Sequence, residues 1–123
     1  MPQTLFMIGA DTQAAVVEMG MNHLGEISAL TRVCMPTSAI ITNVGVAHIE
    51  NLGSRENILK AKLEITEGMK AGSPLIINAD NDLLGTYADP GFEIVCFGID
   101  ADGLTVRAAN IAVGGEGVRA DFI

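Results

Sequence analysis

The sequence predicts an α/β protein with a mostly parallel sheet flanked by helices, closed by a C-terminal antiparallel hairpin. Three observations carry this. Short apolar runs alternate with stretches of helical periodicity through residue 100, turn residues punctuate them, and residues 101–123 switch to period-two alternation.

Taken in order, Ala14 to Val17 is a short apolar run ending at Glu18 and reads as a buried strand. Leu24, Ile27, Leu30 and Val33 recur at helical spacing, and Pro36 closes that helix. Ser38 to Thr42 is the next strand. Ser54 is placed to cap a long helix running to about Met69, with Gly72 and Pro74 beyond it. Leu75 to Ile77 predicts a third strand, a short helix follows around Leu83, and Glu93 to Phe97 predicts a fourth strand. In the tail, Leu104, Val106 and Ala108 alternate with polar or small residues, as do Val118, Ala120 and Phe122. The turn GGEG (Gly114 to Gly117) lies between them. That hairpin is expected on a sheet edge or in a small sheet of its own. The chain reads as one domain, with an α/β part at 1–100 and the hairpin at 101–123.

Composition narrows the function classes. A length of 123 residues suits one domain, and 49% hydrophobic residues can fill a core that must be aliphatic, since only 4% are aromatic and none is Trp. A net charge of -8 argues against nucleic acid and anionic membrane surfaces as partners. Cys34 and Cys96 stand alone, outside metal-ligand spacing, and read as reduced core residues. No apolar run reaches membrane-span length and no basic, apolar leader is evident, so a cytoplasmic protein is expected.

In open α/β sheets ligands gather at the carboxyl ends of the strands. Glu18, Asn43, His48 and Asn78 all fall at or just beyond such ends. A carboxylate and a neutral imidazole converging on a cleft could bind a divalent cation. Alternatively, Glu18 caps a helix and His48 bonds a loop carbonyl. The long helix adds a second clue. At about 100° per residue, Ile58, Lys62, Ile65 and Met69 share one stripe, while Lys60 projects from nearly the opposite side. Lys60 is therefore a solvated lysine and Lys62 lies on the face expected to be buried. A buried ammonium must be paired or neutralised. Either Lys62 bridges to Glu18 or Glu64 or snorkels to solvent, or it reacts with carbon dioxide to give a carbamate whose oxygens ligate metal.

The strings VVEMGMNHLGEI (Val16 to Ile27), TNVGVAHIENLGS (Thr42 to Ser54), AKLEI (Ala61 to Ile65) and NADND (Asn78 to Asp82) together resemble the central, ATP-using domain of the Mur ligase family. The resemblance covers over half the chain, and the hairpin tail resembles the end of that domain. It implies a P-loop-type fold and an ATP- and Mg2+-dependent, amide-bond-forming ligase of peptidoglycan synthesis. The expected substrates are UDP-N-acetylmuramoyl-tripeptide and D-alanyl-D-alanine. It further implies that Glu18 and His48 hold magnesium, that Lys62 is carbamylated and helps to position magnesium, and that Asn78 lies near adenine. Asn22 and His23 match a stretch close to the substrate cleft.

Such ligases grip ATP with a glycine-rich loop ending in Gly-Lys-Thr, ahead of the strand carrying the glutamate. Between Met1 and Glu18 there is one glycine, Gly9, and no Lys or Arg. The expectation is a partial domain that binds neither ATP nor Mg2+ and ligates nothing by itself, with an exposed sheet edge through which two copies could pair. Two alternatives stand beside it. One is another Mur ligase or a folylpolyglutamate synthase relative. The other is a non-catalytic, stand-alone binding domain that has lost ATP use.

Overall fold

The structure, a computed structural model, describes residues 2–115 and 117–123. Met1, and Glu116 of the GGEG turn, lie outside the described residues. Contacts divide the chain into two compact units, Met1–Pro36 with Val46–Met69, and Thr37–Gly45 with Lys70–Ile123.

The first unit is helical. It holds α1 (Pro2–Leu5), α2 (Glu26–Cys34), α3 (Ile49–Leu52), α4 (Arg55–Leu63) and a 3-10 helix at Glu64–Gly68. Ser54 caps α4 as expected, its hydroxyl accepting from the Asn57 N–H. Helix α4 is shorter than its sequence suggests, because the chain tightens into the 3-10 helix at Glu64. There the Thr66 hydroxyl donates to the Leu63 carbonyl (2.8 Å), and the Thr31 hydroxyl donates to the Ile65 carbonyl (2.7 Å). Both oxygens are thereby drawn away from regular α-helical pairing. Ile27, Thr31, Leu52, Ile58 and Ala61 are buried. The buried stripe of α4 thus centres on Ile58 and Ala61, and Lys62 is half-buried on its flank.

The strand expected at Ala14 to Val17 is absent. Val17, Met19 and Met21 do turn inward while Val16, Glu18 and Gly20 face out, the alternation that the sequence carries. A strand also needs a ladder partner, and these residues take no place in the sheet.

The second unit is a mixed, five-stranded sheet in the order β1-β2-β3-β4-β5, formed by Ala39–Ile41, Pro74–Asn78, Glu93–Gly98, Val106–Gly114 and Gly117–Phe122. The first three pairings are parallel, and β4 with β5 is antiparallel. The hairpin is not a separate sheet. Two register pairs, Phe97↔Val106 and Gly98↔Arg107, join β4 to β3, so β5 becomes the sheet edge. Ala39 pairs with Leu75 and Ile41 with Ile77, and all four are buried, whereas Ile40 between them is 52% exposed. One sheet face is therefore closed, and burying each such Leu or Ile side chain contributes roughly 1.5–3 kcal/mol.

The short helix expected around Leu83 is instead a pair of turns. The Asn81 Oδ1 accepts from the N–H groups of Leu83 (3.3 Å) and Leu84 (3.1 Å), an arrangement that competes with helix propagation. Leu84 is nevertheless fully buried.

Candidate functional site

In the sheet unit, residues 78–82 close the carboxyl ends of three strands, and three side chains do the work. Asn78, the last residue of β2, donates through Nδ2 to the Thr42 carbonyl after β1 (3.1 Å) and accepts at Oδ1 from the Asp80 N–H (3.0 Å). Asn81 reaches the same loop, donating to Asn43 Oδ1 (2.8 Å) and the Val44 carbonyl (3.2 Å). Asp80 turns the other way. Its carboxylate accepts the N–H groups of Ile99 (2.6 Å), Asp100 (3.0 Å) and Ala101 (2.7 Å) just after β3.

Those bonds, the Ile99 N–H first, then Ala101 and Asp100, with Arg107 adding its charge, hold the Asp80 carboxyl below the usual carboxylate range. Arg107 secures the same loop through its acceptors, donating to the carbonyls of Ile99 and Ala101. The loop joining β3 to the parallel β4 thus has its donors held by an anion and its acceptors by a cation.

In the helical unit the candidate residues are displayed differently. Glu18 is exposed in the segment ahead of α2. His48 is exposed at the start of α3 in a left-handed conformation (φ 66°), and its ring makes no cap bond. Lys60 is exposed and Lys62 is half-buried. The side chains of Glu18, His48 and Lys62 make no hydrogen bond or ion pair with any described residue. Glu18 therefore caps no helix, and Lys62 has no carboxylate partner in Glu18 or Glu64.

Asn22 and His23 gather on Glu26. The Asn22 N–H donates to Glu26 Oε2 (2.7 Å), and His23 Nδ1 lies 3.3 Å from Glu26 Oε1. The Asn22 bond, followed by that to the His23 ring, lowers the Glu26 carboxyl below its ordinary value. Farther along α2, the Ser28 hydroxyl (2.6 Å) and then Arg32 (2.8 Å) bind Glu67 and lower its carboxyl in the same sense.

Magnesium takes hard oxygen donors, one or two of them protein carboxylates, with phosphate and water completing the set. Among the described residues no three His, Cys, Asp or Glu side chains cluster as a metal site. Glu18 offers a carboxylate of that kind from an exposed position, whereas His48, also exposed, offers an imidazole nitrogen instead of an oxygen. A carbamate on Lys62 would offer oxygens of the same hard kind.

The sequence offered no direct signal for Asp80, Asn81 and Glu64. Each binds backbone groups that are remote in the chain; the strand-end position of NADND points to Asp80 and Asn81, and Glu64 enters the sequence reading only as a possible partner of Lys62.

A mostly parallel sheet whose carboxyl ends are tied by an Asn-Ala-Asp-Asn turn, with an antiparallel pair at one edge, defines the class, an open α/β domain. The chain belongs to the Mur ligase middle-domain family, whose model, described as "Mur ligase middle domain", matches residues 1–123. It is 46% identical over 84 residues, 68% of its length, to the UDP-N-acetylmuramoyl-tripeptide--D-alanyl-D-alanine ligase of Bacillus subtilis. It is 36% identical over 118 residues, 93% of its length, to the ligase of the same name from Synechocystis sp.. It spans only 18% and 26% of those two proteins.

Among solved structures it superposes on MurF from Acinetobacter baumannii with a TM-score of 0.80 at 26% identity, covering 99% of this chain and 29% of that one. MurF ligase from Thermotoga maritima, in complex with ADP, gives a TM-score of 0.68 at 26% identity over 80% of this chain and 23% of that one. Among the described residues no helix is long and apolar enough to cross a membrane.

Proposed function

We propose that this chain is part of the ATP-using domain of a cytoplasmic ligase that adds D-alanyl-D-alanine to UDP-N-acetylmuramoyl-tripeptide. The observation that carries the reading is the family match over the whole chain, combined with relatives named for that reaction.

In the proposed reaction the γ-phosphoryl group passes from ATP to an oxygen of the peptide's terminal carboxylate, and ADP leaves. The dipeptide's amine then attacks the carbonyl carbon, the C–O bond to phosphate breaks with its electron pair, and the nitrogen gives up a proton. Magnesium, when bound, neutralises phosphate charge. Glu18 and His48 are the proposed metal-side residues. Lys62 is the proposed carbamate, formed when its free amine adds to carbon dioxide and releases a proton. The family match over residues 1–123 supports these roles. Asn78 is proposed on the adenine side, at the carboxyl end of β2. Asn22 and His23 are proposed on the acyl-substrate side.

The 123 residues hold no Gly-Lys-Thr loop, and their first cationic side chain is Arg32. Without that row of N–H donors and its lysine, the chain by itself is proposed to hydrolyse no ATP and ligate nothing. A chimera tests the substrate assignment. The matching segment of the B. subtilis relative is replaced by this chain, and phosphate release is followed with ATP, UDP-N-acetylmuramoyl-tripeptide and a panel of amines. Release with D-alanyl-D-alanine alone is expected. Release with single amino acids instead would move the chain to another Mur ligase. No release, from a chimera that folds and binds ADP, would favour the non-catalytic alternative.

A further inference from the structure

We infer that Glu64 is a positioning residue, which fixes the turn carrying Asn22 and His23 to the end of the lysine-bearing helix. The inference rests on the reading above that Lys62 and the Asn22–His23 stretch serve one site.

Helix α2 starts at an unusual cap. Gly25 occupies the N-cap position with φ 89° and has no side chain to offer, yet the first turn of any helix leaves N–H groups without intrahelical partners. Glu64 supplies what the local sequence lacks. Its Oε1 accepts from the Gly25 N–H (2.7 Å) and its Oε2 from the Ser28 N–H (3.1 Å), 39 and 36 residues away in the chain. A carboxylate there also meets the positive end of the helix dipole.

Other contacts between α2 and Glu64–Gly68, those of Ser28 and Arg32 with Glu67 and of Thr31 with Ile65, act farther along the helix. Glu64 alone among them grips the N-cap backbone. From there the linkage continues through Glu26, which holds the Asn22 N–H and faces the His23 ring. Lys62 lies two positions before Glu64, across the junction between α4 and the 3-10 helix. The path from Lys62 to Asn22 and His23 thus runs through two carboxylates, Glu64 and then Glu26. Glu64 is spent on backbone N–H groups and not on the lysine ammonium, so Lys62 keeps its amine uncommitted.

Amide hydrogen exchange and backbone chemical shifts of the 15N-labelled chain test this, comparing Glu64→Ala, Glu64→Gln and Glu64→Asp. Glutamine keeps one acceptor oxygen, aspartate is one methylene too short, and alanine keeps nothing. Glu64→Ala is expected to speed exchange at Gly25 and Ser28 about fivefold to tenfold, the size of one ordinary net hydrogen bond. It should also shift the Asn22 and His23 resonances while leaving the β2 and β3 amides unchanged. Glu64→Gln should restore protection at one of the two amides, and Glu64→Asp should resemble alanine. Unchanged exchange and shifts at residues 22–28 would overturn the proposal. So would a uniform acceleration throughout the chain, the signature of a cap that only adds stability. If Glu64→Ala does not fold, Glu64→Gln alone decides by the same local pattern. No substrate enters this measurement, so its failure leaves the ligase reading intact, and failure of the phosphate-release assay leaves this result intact.

Discussion

Asp80 occupies the space that a side chain at Gly98 would need. A Cβ built on Gly98 would lie 2.8 Å from Asp80 Oδ2 and 2.9 Å from Oδ1. The glycine at the end of β3 is therefore required by the carboxylate that organises the loop after it. Gly98→Ala should force Asp80 out of its bonds to residues 99–101 and cost about 1–3 kcal/mol, the usual range for overpacking. Gly20→Ala, where nothing lies within 4 Å of the new methyl, is the neutral control. Urea unfolding of both variants checks the difference.

Acid should loosen the same loop. The folded-state carboxyls of Asp80, Glu26 and Glu67 are all lowered, so each contributes stability above its unfolded value that is lost as pH falls through the folded value. Stability is therefore expected to decline below about pH 4, where free carboxylates begin to protonate. Asp80→Asn should flatten that decline and lower stability at neutral pH. A pH series of urea midpoints for wild type and Asp80→Asn reads both effects.

Gly68 is a stricter close approach than Gly98. A Cβ there would run into the carbonyl and hydroxyl of Thr31, a fully buried residue whose backbone cannot swing aside. Gly68→Ala should therefore cost at least about 3 kcal/mol, the upper end of the overpacking range. Thr31→Val keeps the shape but strands the Ile65 carbonyl, and should cost roughly 1–2 kcal/mol. Thermal or urea unfolding ranks them as Gly68→Ala, then Thr31→Val, then Gly20→Ala.

Tyr87 provides an alkaline signal of its own. Burial first, then its bond to Asp89 (3.1 Å), pushes the phenol up to about 12. A raised folded value means stability that is complete below the unfolded value of 10.0 and is lost as pH climbs through about 12. Tyr87 is the single tyrosine and there is no Trp, so phenolate absorbance reports it alone. The native midpoint should lie near 12 and the midpoint in concentrated urea near 10. Coincident midpoints would contradict the burial of this ring.

Much of the fold was legible because its determinants are local. Pro36 and the Leu24-to-Val33 spacing mark α2, Ser54 marks the start of α4, and the alternation around Val106 and Val118 marks the hairpin. The two elements that differ do so because a hydrogen-bond partner is missing in one case and a side chain competes for it in the other. The run at Ala14 to Val17 has a strand's pattern but no ladder partner, and Asn81 diverts the N–H groups expected to start a helix at Leu83. The candidate site divides in the same way. The contrast between Lys60 and Lys62 follows from helical period alone, and the structure leaves the first exposed and the second half-buried. No spacing rule announces that Glu64 will cap a helix 36 residues upstream, or that Asp80 will bind N–H groups up to 21 residues ahead.

The proposed carbamate on Lys62 is put to the test by a lysine comparison in the B. subtilis chimera. ATP-dependent phosphate release, driven by tripeptide nucleotide and D-alanyl-D-alanine, is measured for wild type, Lys60→Ala and Lys62→Ala. Lys60→Ala is expected to release phosphate at nearly the wild-type rate, and Lys62→Ala to fall to background with its fold intact. Full activity in Lys62→Ala, or loss of activity only in Lys60→Ala, would contradict it.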